Sequence, residues 1–324
     1  MEKGKEVMKP LNGVHKKKIS NLVFYICVVA IPVAQFLLCY VYVNANMFLL
    51  GFQKFDYGYE SGREAGYYFL SGSHLFDNFK AFFNSAFGSG ENYALKHAVK
   101  NSFIVFFTTY FISQTLSLLF SFYIYKQRAG SAFFRVMLFV PSVVSSIVMC
   151  LIFLYIGEDA IPGIAKLITG EACSGWFSDE NIRFPFLIFF SIFVGFGSNT
   201  LLYVGSMNGI NDSIIEACKL DGANSWQEFI YVAFPMIYPQ FITFTVASCA
   251  GIFTNQLNLF SIYGGGELDY ELYTMGYYLY DATKHASNIE YPAISAIGFI
   301  ITCVTIPITF IVNKMLKKFG PGVE

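Results

Sequence analysis

Two groups of residues in this 324-residue chain have types and spacings that could do work. The first is a charged bend, EACKLDGANSWQEFIYVAFP, running from Glu216 to Pro235 between two long apolar runs. Its pattern predicts two short helices meeting at a corner. Ser213 with Glu216, and Ser225 with Glu228, each read as a capping box. Gly222 follows IIEACKLD, where a left-handed residue can end a helix without steric cost. Pro235 is expected to interrupt the second helix. Such a bent pair, with a membrane span on each side, is a docking element for another protein. The plainer alternative is a cytoplasmic hairpin whose glutamates only cap helices.

The second group is neutral and polar, set inside apolar runs: Gln114, Ser198, Asn199, Thr200, Gln240, Asn255, Gln256 and Asn258. Uncharged donors and acceptors beside aromatic rings suit a sugar, whose hydroxyls need hydrogen bonds and whose faces stack on aromatic carbon. The same residues could instead bond helix to helix, at about 0.6 kcal/mol apiece. Gly195 and Gly197 read as close-approach positions rather than substrate contacts.

Other chemistries find no residues to carry them. No Ser–His–Asp order or reactive cysteine setting is present, so a non-catalytic chain is expected. His15, His74, His97 and His285 are scattered and suggest no metal site. No G-x-x-x-x-G-K-[ST] sequence occurs, so ATP and its Mg would have to bind another chain. A net charge of −1 gives no field for nucleic acid. Of the seven cysteines, only Cys173 falls in an outer loop, so no disulfide is expected.

The elements that must hold these residues are membrane spans. The chain is 55% hydrophobic and only 13% charged, about half the charge of a soluble domain. Uncharged runs of about 20 residues suffice to cross a bilayer. They predict spans at about 19–43, 101–125, 136–157, 184–210, 237–258 and 291–313, all free of Asp, Glu, Lys and Arg. The first could be a signal peptide, with Val43-Asn44-Ala45 as a cleavage site, but its apolar region is too long for one. Residues 44–100 read as short helices and loops on the outer face, their aromatics anchoring at the interface or docking a receptor. Residues 1–18, the 126–135 turn, the 211–235 loop and the C-terminus together hold 13 of the 21 Lys and Arg. The other loops hold 15 of the 22 Asp and Glu, which makes the first set cytoplasmic. The lack of ionisable groups at membrane depth argues against a proton-driven carrier.

Glu216, Ala217, Gly222 and Pro235 match the EAA motif, E-A-A, three residues, G, nine residues, I-x-L-P, with Cys218, Val232 and Phe234 at the variant positions. The chain therefore resembles the membrane-spanning permease subunits of ABC importers. Asp221-Gly222-Ala223, with Trp226 and Phe229 after it, looks like the carbohydrate-uptake, maltose-permease-type branch. Further likenesses are SHLFDNFKAFF, Asn101-Ser102-Phe103, FRVMLFVPSVVSS and FSIYGGGELDY, where Glu267 stands in place of the family's Pro.

The resemblance implies an all-α, six-helix, type I importer fold with cytoplasmic coupling helices, in a bacterial plasma membrane. It implies that Glu216, Ala217, Cys218, Asp221, Gly222, Ala223, Phe229 and Pro235 couple to an ATPase dimer. It also implies a second permease, an extracellular solute-binding protein, and a sugar path along the fourth and fifth spans. Ser198, Asn199, Thr200, Asn255, Gln256 and Asn258 are the candidates for that path. A polyamine, phosphonate or peptide importer, or a self-contained carrier, stays open as an alternative.

Overall fold

The structure is a computed structural model that describes residues 12–59, 62, 64–87, 93–171, 174–264 and 268–321. Cys173, Glu267 and most of the 1–18 segment lie outside the described residues. The chain begins with α1 (Asn12–Gln35), a π-turn at Phe36–Tyr42 and α2 (Val43–Leu50), which run on as one rod. A short antiparallel hairpin follows, β1 (Gln53–Asp56) against β2 (Gly66–Phe69), with Gln53 opposite Phe69. Then come α3 (Asp77–Phe87), α4 (Tyr93–Tyr125), α5 (Ser131–Val143) and α6 (Ser146–Tyr155). A π-turn at Ile156–Ala160 leads into α7 (Ile161–Thr169), and α8 (Arg183–Met207) follows. The bend holds α9 (Asp212–Leu220) and α10 (Ser225–Glu228); a π-turn at Phe229–Ala233 leads into α11 (Phe234–Ala250). The chain closes with α12 (Leu259–Tyr263), α13 (Met275–His285) and α14 (Tyr291–Phe319).

Six helical stretches are long and apolar enough to cross a membrane: Phe24–Leu50, Tyr93–Tyr125, Ser146–Thr169, Arg183–Met207, Ser225–Ala250 and Tyr291–Phe319. The number matches expectation, and the all-α character departs from it only by the small hairpin. Several boundaries move. The first rod extends to Leu50, and the second starts eight residues early, at Tyr93. The third is broken: α5 stops at Val143, two residues past Pro141, and Ser146 begins a new helix. Its C-terminal part carries Glu158, Asp159 and Lys166, so the third apolar stretch is not free of charge.

The fifth span starts at Ser225 and ends at Ala250, so Asn255, Gln256 and Asn258 follow it rather than belong to it. Pro235 does not interrupt a helix. Its ring removes the N–H that would bond the Tyr231 carbonyl, and the widened turn at Phe229–Ala233 sits just there, so the helix runs through.

The packing centre is α4 against α8. Ser117 on α4 donates to the Phe196 carbonyl on α8 at 3.0 Å, and the Gln114 amide donates to the Tyr203 hydroxyl. Tyr110 on α4 pairs with Thr245 on α11 at 2.8 Å. Gly197 lets α5 lie against α8, because an added Cβ would collide with the Leu138 carbonyl. Gly195 has open space where its Cβ would be, so only one of the two glycines serves close approach. The rod Phe24–Leu50 is peripheral. Its described side chains are all exposed or half-buried, and it reaches the others near its end, where the Phe48 ring lies 5.2 Å from that of Phe299 on α14.

Gly197→Ala is therefore expected to lower the thermal unfolding midpoint of the detergent-solubilised protein. Gly195→Ala should hold or raise it, since alanine is favoured over glycine in a helix by about 1 kcal/mol. Equal midpoints for the two variants would contradict the α5–α8 packing.

Candidate functional site

The bend is built as a corner, but its caps sit one or two residues from where the spacing puts them. Asn211, not Ser213, caps α9; its side chain accepts from the Ser213 backbone N–H at 3.0 Å and from the Ser213 hydroxyl. Asn224 and Gln227 form the second capping box, in place of Ser225 and Glu228. Asparagine is as good a cap as serine, and it occupies the extended position before each helix.

The turn between the helices follows expectation. Gly222 has φ +77°, its N–H bonds the Lys219 carbonyl at 3.1 Å, and Ala223 N–H bonds the Cys218 carbonyl at 3.2 Å. This is the Schellman pattern, and it leaves Asp221 at the C-cap of α9.

The corner has an outer and an inner face. Glu216, Ala217 and Asp221 are exposed, and Leu220 is 88% exposed. Cys218 and Ala223 are half-buried. Phe229 is buried, with its ring 5.0 Å from that of Phe122 on α4, and Pro235 is half-buried. Phe229 thereby holds the corner to α4. Ile215 joins it in an apolar cluster with Tyr203, Met207, Ala233 and Ile237.

Glu228 is 3% exposed and bonds Lys126 Nζ through both oxygens, at 2.9 and 2.7 Å. Arg128 donates to the Ser225 hydroxyl at 2.9 Å. Sequence reasoning missed these ties, because the capping reading had already given Ser225 and Glu228 another task.

A cavity of about 260 Å³ lies between α4, α8 and α11 and the segment that follows α11. Its lining includes Tyr110, Ser113, Gln114, Ser191, Asn199 and Asn255, with Phe106, Thr109, Gly195, Ser248, Gly251 and Ile252. No charged side chain lines it. Gln114 and Tyr110 are bonded across helices, whereas no hydrogen bond within the chain engages the side chains of Ser113, Ser191, Asn199 or Ser248 among the described residues.

The structure thus brings Asn199 and Asn255 together and leaves the other path candidates aside. Thr200 is fully buried and bonds the Phe196 carbonyl; Ser198 bonds the Gly195 carbonyl. Gln256 is exposed, and Asn258 begins α12 in the left-handed region. Placing Gln256 and Asn258 within the fifth span failed because the helix has already ended at Ala250. From Gly251 the backbone is irregular, with Leu257 at φ 50° and Asn258 at φ 54°. Non-helical backbone at such depth is tolerated where it lines a cavity or packs within protein.

The opposite end is tied down by polar bonds. Asn101 donates to the carbonyls of Glu271 and Tyr273, at 2.7 and 3.0 Å, and Ser102 accepts from Met275 N–H at 2.8 Å. Arg183, with 11% of its side chain exposed, pairs with Asp269 at 2.5 Å. Burial pushes the Tyr273 phenol well above its usual range, and it stays a neutral donor to Asp281 at 3.0 Å.

With this geometry in view, the comparisons with known proteins are specific. The family described as "Binding-protein-dependent transport system inner membrane component" matches residues 113–324. The chain belongs to that family, the membrane permeases of ABC importers, and the permease itself is non-catalytic.

It is 29% identical over 130 residues to the probable starch degradation products transport system permease AmyD of Thermoanaerobacterium thermosulfurigenes, covering 39% of this chain and 44% of that one. It is 26% identical over 223 residues to the lactose transport system permease LacF of Rhizobium radiobacter, covering 66% and 73%. The match to the maltose/maltodextrin permease MalF of Escherichia coli K12 is 26% over 167 residues, 51% of this chain and 32% of MalF. The alignments thus span well under two thirds of AmyD and of MalF. The fold is that of a chain in a bacterial ABC transporter involved in import of the acidic polysaccharide alginate, with TM-score 0.71, 16% identity, and 94% and 98% coverage.

Asn101→Ala is expected to leave the carbonyls of Glu271 and Tyr273 unpaired, at about 1–3 kcal/mol. Amide hydrogen exchange across 273–277 should then speed up while the α8 core stays protected. Unchanged exchange there would show that the tie carries no load.

Proposed function

We propose that this chain is one membrane half of a sugar importer, working with a second permease, a cytoplasmic ATPase dimer and an external binding protein. The observation that carries the substrate class is the cavity between α4, α8 and α11. It offers hydroxyls and an amide with open valences, beside the Phe106 and Tyr110 rings, and no charge. A polyamine would call for carboxylates there, and a phosphonate for Arg or Lys. A neutral sugar needs what is present. The relatives named for starch products, lactose and maltodextrin support the same class.

The corner α9–α10 is the coupling element. Glu216, Ala217, Leu220 and Asp221 form its outward face toward the ATPase, while Phe229 anchors it from below. ATP-driven closure of the ATPases draws the corners of the two permeases together and swings the halves from inward-facing to outward-facing. The binding protein then releases sugar toward the cavity, and hydrolysis resets the state. The N-terminus, corner and C-terminus are cytoplasmic in this reading, consistent with the distribution of Lys and Arg.

Substrate class is tested on the cognate binding protein, by thermal shift with maltotriose, lactose and maltodextrins against spermidine, aminoethylphosphonate and dipeptides. A shift with a sugar alone is expected; a shift with any of the last three and none with a sugar overturns the reading. With the sugar known, Asn199→Ala should cut uptake by about fivefold, the worth of one neutral hydrogen bond of ~1 kcal/mol. Uptake equal to the parent would remove Asn199 from the path.

A further inference from the structure

We infer that Lys126 and Glu228 form a positioning strut, which makes the coupling corner and the cavity-lining helix α4 move as one body. The inference rests on the reading of α9–α10 as the ATPase-docking element.

Four observations meet at this place. Glu228 ends α10 and is 3% exposed, and both its oxygens are held by Lys126 Nζ at 2.9 and 2.7 Å. Lys126 is the first residue beyond α4 and its side chain is 18% exposed. Two residues on, Arg128 reaches the Ser225 hydroxyl, so α10 is gripped near both its ends. Beneath them the rings of Phe122 and Phe229 lie 5.0 Å apart, which seals the pair from below.

An ion pair this buried is a poor device for stability alone, since well-packed apolar residues usually serve as well or better. It does define one geometry, because both oxygens and the ammonium must meet away from water. α4 carries Phe106, Thr109, Tyr110, Ser113 and Gln114 into the cavity. A displacement of the corner therefore passes along α4 to half of the cavity's polar lining, without relying on the peptide connection through α11. The turn at Phe229–Ala233 and Pro235 would make α11 the softer of the two routes. Lys126 and Glu228 act through α4 and the corner; neither lines the cavity.

The test uses the complex purified with its ATPase and binding protein, in proteoliposomes. The seven native cysteines are replaced, and Ser113→Cys reports the cavity to a membrane-impermeant maleimide. In the parent, trapping with Mg-ATP and vanadate should change the labelling rate. Glu228→Gln and Lys126→Met are expected to retain the ATPase and to trap nucleotide, yet show an about tenfold smaller labelling change. The reversed pair, Lys126→Glu with Glu228→Lys, should recover it.

Single variants that respond like the parent overturn the strut. So does loss of trapping and labelling change together, unrecovered by the reversed pair, which marks a merely structural role. Where the single variants fail to assemble, the reversed pair decides: a recovered labelling change supports the strut and an absent one overturns it. A parent complex that contains no ATPase, or shows no ATP-dependent labelling change, contradicts the importer reading itself and is told apart by that control.

Discussion

The structure depends on one constraint: a polar group placed in hydrocarbon must find its partner inside the chain. Among the described residues, no buried side-chain nitrogen or oxygen lacks one. Ser117 is spent on the Phe196 carbonyl, Gln114 on Tyr203, and Thr200 on its own helix. These bonds cross between helices or close on one helix, and they set the α4–α8 pair about which the other spans are arranged. Ser113, Ser191, Asn199 and Ser248 escape the rule only because they face a cavity of about 260 Å³. That open hydrogen-bonding capacity is what supports the proposed path for a polar solute.

The same constraint explains where helical order ends. The helix that begins at Ser225 stops at Ala250, and the backbone then turns irregularly as far as Asn258. Two of the freed carbonyls find partners within the chain. That of Asn255 accepts from Thr274 at 2.7 Å, and that of Gln256 from Leu259 N–H at 3.0 Å. Irregular backbone beside the cavity thus keeps these two carbonyls paired without helical bonds. At the other end the corner is held more stiffly, by a buried ion pair, an aromatic contact and a Schellman turn.

Much of this was legible in the residues. Six apolar runs gave six spans, and Gly222 after IIEACKLD gave the left-handed turn, because both are local signals. The capping positions slipped since Asn and Ser stand close together at each helix start, and either could cap. The fifth span was drawn eight residues too far because IFTNQLNLF carries no charged residue to end the uncharged run, and composition does not register φ. The cavity was half legible: Asn199, Asn255 and Gln114 were marked, while Ser113, Ser191 and Ser248 looked like ordinary small residues. The Lys126–Glu228 pair, 102 residues apart, had no local signal at all.

The central claim is that the corner between α9 and α10 faces the cytoplasm and is covered there by an ATPase. Leu220, 88% exposed at the tip of α9, is the place to ask. Leu220→Cys, in a background lacking the native cysteines, can be exposed to a membrane-impermeant maleimide in intact cells, in inside-out vesicles stripped of ATPase, and in vesicles with the ATPase bound. The account predicts labelling in the stripped inside-out vesicles alone. Labelling in intact cells, or equal labelling with and without the bound ATPase, would contradict it.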